Sequence, residues 1–172
     1  TAPDFHDIRG TLELQNRRFR LRGMKGLFGQ SPFALEGSIS DFARPGPVDY
    51  TAALTVHPAR EEVVWLLGKD RFRNLSFHGP STLDLSGKGT ASDFRVSARW
   101  DLTNASYAFS DILEKPASRT NNLTAEMKVN AEALMFSSFR FELPQVKISG
   151  SATYHFSGEI PLSLHAESKT MN

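Results

Sequence analysis

The sequence predicts an all-β fold: a strongly twisted, predominantly antiparallel sheet with one short helix near residues 58–68. Short runs alternate apolar and polar residues, the pattern of strands with one dry face and one wet face. Glycines and other turn residues separate those runs. Only once, after His57-Pro58, does the spacing change to that of a helix.

Along the chain, Ile8, Leu12 and Leu14 alternate with polar neighbours and Asn16-Arg17 supplies a turn. Phe19 and Leu21 then resume against Arg18, Arg20 and Arg22, which completes a hairpin. Gly23, Gly26 and Gly29 are expected to loosen the chain before Phe33, Leu35 and Ile39, and Ala43-Arg44-Pro45-Gly46-Pro47 reads as a loop. Tyr50, Ala52, Leu54 and Val56 form the next strand. Pro58 suits the first turn of a helix, and Glu61 and Glu62 read as a solvated pair at its positive end. Val63, Val64, Leu66 and Leu67 then recur at helical spacing until Gly68 stops it. Short runs follow at Phe72 to Phe77 and Ser81 to Ser86.

The clearest strand comes next. Phe94, Val96, Ala98, Trp100 and Leu102 fall on one face, with Arg95, Ser97, Arg99 and Asp101 on the other, and the rhythm resumes at Tyr107 and Phe109. Leu123, Ala125, Met127 and Val129 repeat it, and runs at 134–143, 146–149, 153–156 and 162–166 extend the sheet. A loose repeat links Leu35-Glu36-Gly37-Ser38-Ile39, Leu85-Ser86-Gly87-Lys88-Gly89 and Ile148-Ser149-Gly150-Ser151-Ala152, with Ile8-Arg9-Gly10-Thr11 as a fainter copy. Its glycines are expected to mark bulges or tight bends between strands added to one growing sheet.

Composition narrows the function classes. With 172 residues and 40% hydrophobic content, the chain can bury a sizeable core, and residues 1–172 read as one segment of a longer, repetitive sheet without an internal domain boundary. A formal charge of +1 favours neither nucleic acid nor a strongly charged partner. The Arg18, Arg20, Arg22 stripe with Lys25 reads as a solvated face. Thirteen Phe against three Tyr and two Trp favour fully apolar contacts. The absence of cysteine excludes disulfides, thiolate metal sites and a cysteine nucleophile. The histidines are scattered, and neither a G-x-S-x-G elbow nor a phosphate-binding loop is present, so the expectation is a non-enzymatic protein without cofactor or metal.

The run Trp100-Asp101-Leu102-Thr103-Asn104-Ala105, then Glu114-Lys115-Pro116 and Leu123-Thr124-Ala125, resembles a segment of the large AsmA-like proteins of Gram-negative envelopes, the YhdP and TamB group. Gly23 to Phe42, with Ser31-Pro32-Phe33 and Leu35-Glu36-Gly37-Ser38-Ile39-Ser40-Asp41-Phe42, is similar to their strand-glycine-strand units. Where a glycine is expected soon after the lysine-proline pair, Ala117-Ser118-Arg119-Thr120-Asn121-Asn122 stands instead. The resemblance implies a sheet folded into an open groove in the periplasm. That groove would be part of an inner-membrane-anchored protein that moves phospholipids between inner and outer membranes. Phospholipid acyl chains are then the expected partners, with membrane contact made through other parts of the parent protein and no role for nucleic acid.

On that reading Phe94, Val96, Trp100, Leu102, Tyr107, Phe109, Leu123, Met127 and Val129 are the expected lipid-facing residues. The helix either caps the groove or covers a sheet end. The rival is a closed β-sandwich or barrel, a binding or adhesion module of a secreted or envelope protein. The acceptor patterns at Asn74, Asn104 and Asn122 would matter only in a eukaryotic secreted setting.

Overall fold

The computed structural model describes residues 2–40, 46–110, 113–143, 146–155 and 162–170. The expected loop at Ala43 to Pro45, Asp41 and Phe42 of the glycine unit, and the end of the run at Phe156 lie outside them. The elements in chain order are β1 (Phe5–Gln15), β2 (Arg18–Phe28), β3 (Ser31–Ser40), β4 (Asp49–Val56), α1 (Arg60–Leu67), α2 (Lys69–Phe72), β5 (Ser76–His78), β6 (Thr82–Thr90) and β7 (Asp93–Asp101). They continue with β8 (Ser106–Phe109), β9 (Leu113–Lys115), β10 (Asn122–Val129), β11 (Ala133–Glu142), β12 (Val146–His155) and β13 (Leu162–Thr170). Ten strands form one sheet in the order β1-β2-β3-β4-β6-β7-β10-β11-β12-β13, and β5-β8-β9 form a second. Every pairing in the large sheet is antiparallel, and β1 and β13 remain unpaired edges, so it is open rather than a barrel.

Local chemistry sets this meander. Asn16 and Arg17 both have positive φ, 49° and 62°, the backbone that a two-residue hairpin turn requires to match strand twist. Leu14 therefore faces Phe19 and Leu12 faces Leu21, as the expected hairpin has it. The glycines meet the expectation of bulges in part. β2 runs on through Gly26, which pairs with Phe33, but at Gly23, φ +57°, its register shifts against both β1 and β3. Gly10 sits at a register shift too, Gly37 and Gly150 flank shifts against β2 and β11, and Gly87 lies in unbroken register with both neighbours. Val146 to His155 is likewise one strand through Gly150, not two runs.

Two insertions interrupt the meander. One, between β4 and β6, carries α1, α2 and β5; the other, between β7 and β10, carries β8 and β9. Both leave the same end of the large sheet, and Phe77 of β5 pairs with Tyr107 of β8. The run 72–77 thus divides between a helical turn and a short strand, and Tyr107 and Phe109 belong to the small sheet, not to a continuation of β7. The small layer closes a core of Val63, Val64, Leu75, Phe77, Trp100, Leu102, Ala105 and Tyr107.

The helix is tied down by a carboxylate that the sequence pattern assigns to solvent. Glu62 is only 6% exposed. Its Oε1 accepts the Gln30 N–H at 3.0 Å and its Oε2 accepts the Ser31 hydroxyl at 2.9 Å, while Ser31 Oγ accepts the Ala59 N–H at 2.8 Å. One acidic side chain thereby joins α1 to the β2–β3 turn. Gly29 in that turn has φ +57° and carries no side chain where a methyl would strike the Glu62 carboxylate. Arg60 adds a second tie by donating to the Leu75 and Arg73 carbonyls, each at 2.8 Å. Replacing Glu62 by Ala strands a part-buried N–H and a buried hydroxyl. We predict a loss of about 1–3 kcal/mol in urea unfolding, with Glu61→Ala, on an exposed side chain, near neutral.

Candidate functional site

Antiparallel register carries each strand's apolar residues into line with its neighbours'. The row nearest the insertions runs through Phe33, Val56, Leu83, Trp100, Leu123, Phe141 and Ile148. The next runs through Leu35, Leu54, Leu85, Ala98, Ala125 and Phe139. The third is made of smaller groups over half its length, Gly37, Ala52 and Gly87, before Val96, Met127 and Phe136. The last holds Phe19, Ile39, Tyr50, Gly89, Phe94, Val129 and Leu134. The opposite face carries pairs such as Arg95 and Lys128 around Asp93, Ser97 with Glu126, and Thr55 with Asp84.

The insertion layer covers the first row and, through α1, reaches Leu54 of the second. Beyond it the small third row leaves a hollow of ≈ 480 Å³, bounded by Leu35, Gly37, Ala52, Tyr50, Phe94 and Val129. Phe94 lies across Gly87, where a Cβ would collide with its ring, so glycine there sets both the depth of the hollow and the pose of the aromatic. Further apolar groups on β1 and β13 stand in the open, with Leu12 59%, Leu14 68% and Leu164 63% exposed.

The nine expected lipid-facing residues separate into two groups. Phe94, Val96, Met127 and Val129 lie together on the uncovered part of the face, Val96 opposite Met127 and Phe94 opposite Val129. Trp100, Leu102 and Tyr107 are instead 7%, 5% and 7% exposed in the closed core, with Phe109 and Leu123 packed against it. The physical reason is the small sheet: alternation makes a strand one-sided but does not say that a later insertion folds back over one end of it. Trp100 Nε1 donates to Ser81 Oγ at 3.1 Å, a partner that an acyl-lined wall would not provide. Leu35, Leu54, Tyr50 and Ala52, missed as site residues, were already visible in the alternation of their strands.

The motif residues around Asp101 and Lys115 build a latch beneath the insertion layer. Lys115 is 2% exposed, and its Nζ donates to the carbonyls of Leu102, Thr103 and Ala105 at 2.6, 2.7 and 2.6 Å. Three donors meet three acceptors, which is how a buried ammonium is tolerated. Burial pushes its pKa down, and nearby Asp101 opposes the shift. The Tyr107 hydroxyl donates to Asn121 Oδ1 at 2.7 Å, and burial raises the phenol to about 12. Asn121 Nδ2 passes the chain on to the Glu142 carbonyl at 2.8 Å, tying the layer to β11. Hydrogen bonds from Thr103 hold the Asp101 carboxyl below its usual range, and a hydrogen bond from Lys147 at 2.7 Å does the same for Glu142. These groups are architectural: each is satisfied inside the fold.

No family model, curated protein or solved structure matches this chain. Among the described residues no group of three or more His, Asp or Glu side chains is placed to hold a metal ion, and no helix is long and apolar enough to cross a membrane. Arg22 pairs with Glu13 at 3.1 Å and Arg18 donates to the Ser40 hydroxyl at 3.1 Å, which puts these members of the arginine stripe on the polar face.

Replacing Lys115 by Met leaves three carbonyls without their donor, and we predict a loss of about 3 kcal/mol or more by urea unfolding. For Asp101 and Glu142 the folded pKa is depressed. Their stabilisation is therefore complete above the ordinary carboxylate range, near pH ~4, and is lost as pH falls through the depressed values. Melting temperature measured down an acid series should fall in that window, and less steeply for Asp101→Asn.

Proposed function

We propose that this chain is a segment of a periplasmic hydrophobic groove that conducts phospholipids between the inner and outer membranes without enzymatic chemistry. The observation that supports the reading is the apolar face itself. Its rows continue across the open sheet, and the hollow along Phe94, Tyr50 and Leu35 is left uncovered by the insertion layer. Large exposed apolar patches on a folded protein mark places where something apolar docks.

Energetics suits transport better than capture. Removing a methylene from water gains about 0.8 kcal/mol, so a ~16-carbon chain gains at most roughly 12 kcal/mol on full burial without any directional contact. A wall of Phe, Leu, Val, Ile and Met offers many near-equivalent positions along the rows. An acyl chain held by area alone moves between such positions at little cost, while its headgroup stays in water. The closed-module alternative requires a second layer over the whole apolar face, and the insertion layer spans only one end of it.

The test is lipid content. Gently purified protein, analysed by native mass spectrometry and by lipid extraction, should carry phospholipid. Phe94→Asp and Met127→Asp should remove it while the circular dichroism spectrum and cooperative unfolding persist. Trp100→Asp should instead abolish folding, because its ring is in the closed core. Protein that is folded, free of lipid, and unable to take nitroxide-labelled phospholipid from vesicles would defeat the reading.

A further inference from the structure

A second hollow lies between α1 and the sheet. It has a volume of ≈ 180 Å³, with Phe28, Phe33, Leu54 and Val56 below and Val63 and Trp65 above. It abuts the closed core, with which it shares Val63 and Trp100. Its mouth is marked by Phe5, 61% exposed, Trp65, 41%, and Leu66, 60%, and the Trp65 ring meets Phe28 edge-on at 5.6 Å. On β3 Phe33 lines this hollow and Leu35, two residues on, lines the larger one; on β4 Leu54 and Ala52 do the same. The two hollows therefore adjoin along the strand direction.

The polar groups on its wall are already used. Ser31 and Glu62 bond each other and the N–H groups of Gln30 and Ala59, and Trp100 Nε1 is spent on Ser81. Water needs two to four polar partners to stay in such a space, and an apolar cavity of about 150 Å³ stays dry and accepts a benzene-sized guest. The site thus favours a few methylenes and a methyl group over water or a polar ligand. The span fits as well. From the Phe94 row to the Leu54 row, which lines this hollow, is two two-residue steps, roughly 13 Å at the rise of a strand, and one leaflet's acyl chain covers about 15 Å.

We infer that the cavity under α1 receives the methyl end of an acyl chain that lies along the strands, its polar end at the rim formed by the Asn16-Arg17 and Ala91-Ser92 turns. This rests on the acyl-chain reading above and specifies where the chain ends and which way it points. Glu62 is then a positioning residue: it holds α1 at the height that leaves room for hydrocarbon.

Trp65 reports on the site directly. The full chain is titrated with stearic acid bearing a nitroxide near its methyl end, and separately with the same acid labelled near its carboxyl. Bound probe is measured by the nitroxide signal that co-elutes with protein. The methyl-end label should quench emission more strongly than the carboxyl-end label, and Trp65→Phe should reduce that excess to the part carried by Trp100, which lines the same cavity. The excess should be lost in Val56→Phe, which fills the cavity, and in Leu66→Glu, which charges its mouth on an exposed side chain, with co-eluting probe retained. Phosphatidylcholine vesicles labelled near the methyl end of one chain separate the sources. The same excess from them assigns phospholipid, the excess from free acid alone assigns fatty acid, and both uphold the site. Bound probe with equal quenching from the two positions, or more from the carboxyl end, overturns the cavity assignment and leaves the groove standing. No bound probe of any kind overturns the groove and the inference with it.

Discussion

The pleat is the constraint on which everything else rests. A strand presents alternate residues to opposite faces, so a slip of one position in any pairing would turn a row of Leu and Phe into solvent and bring Arg and Glu inside. Along β3, β4, β6, β7 and β10 the register passes without a shift, and Leu35, Leu54, Leu85, Ala98 and Ala125 come into one line from five separate stretches of sequence. Shifts occur toward the flanks, at His6/Arg9, Arg9/Thr11, Leu21/Met24, Glu126/Met127 and Phe136/Phe139, and beyond them Leu12 still faces Leu21, Phe19 Ile39 and Met127 Phe136. Specificity of pairing and continuity of the apolar surface are the same property seen from two sides.

Given that surface, the insertions decide how much of it is closed. Two of their buried polar groups form knots, Glu62 with Ser31 of β3 and Lys115 with three carbonyls, and both knots fix a layer that would otherwise sit on hydrocarbon by area alone. Nonpolar contact is permissive about position; a buried ion with all its hydrogen bonds is not. The layer is thereby held over the first row, and the Phe94 end of the face is left clear.

Much of the architecture was legible in the residues. Alternation located the strands, Asn16-Arg17 the first hairpin, and Pro58 with Gly68 the helix. The strand that opens at Phe94 and its partner ending at Val129 were read on the correct face because a period of two is a local property. What escaped is non-local. Nothing within β7 announces that Phe77 and Tyr107, from two different loops, will pair above Trp100, and so its core role was hidden. Glu62 looked like any first-turn acid, because its partners are more than thirty positions earlier in the chain. Gly23 was read correctly as an irregularity in its strand but Gly87 was misread as a bulge or bend, since an empty side chain looks the same on paper whether it frees the backbone or makes room for Phe94.

The order of the large sheet also bears on how it forms. Apart from the two insertions, every strand pairs with its neighbour in sequence, so each new strand closes a short loop onto an edge that already exists. Assembly can then proceed like a zip from any hairpin, and a chain delivered end first can lay down strands as they emerge. The step that must wait is the meeting of β5 with β8, whose partners are on opposite sides of the β6–β7 hairpin. Until that late closure, Trp100 is as exposed as Phe94, and the nascent sheet offers its whole greasy side to whatever chaperone is at hand.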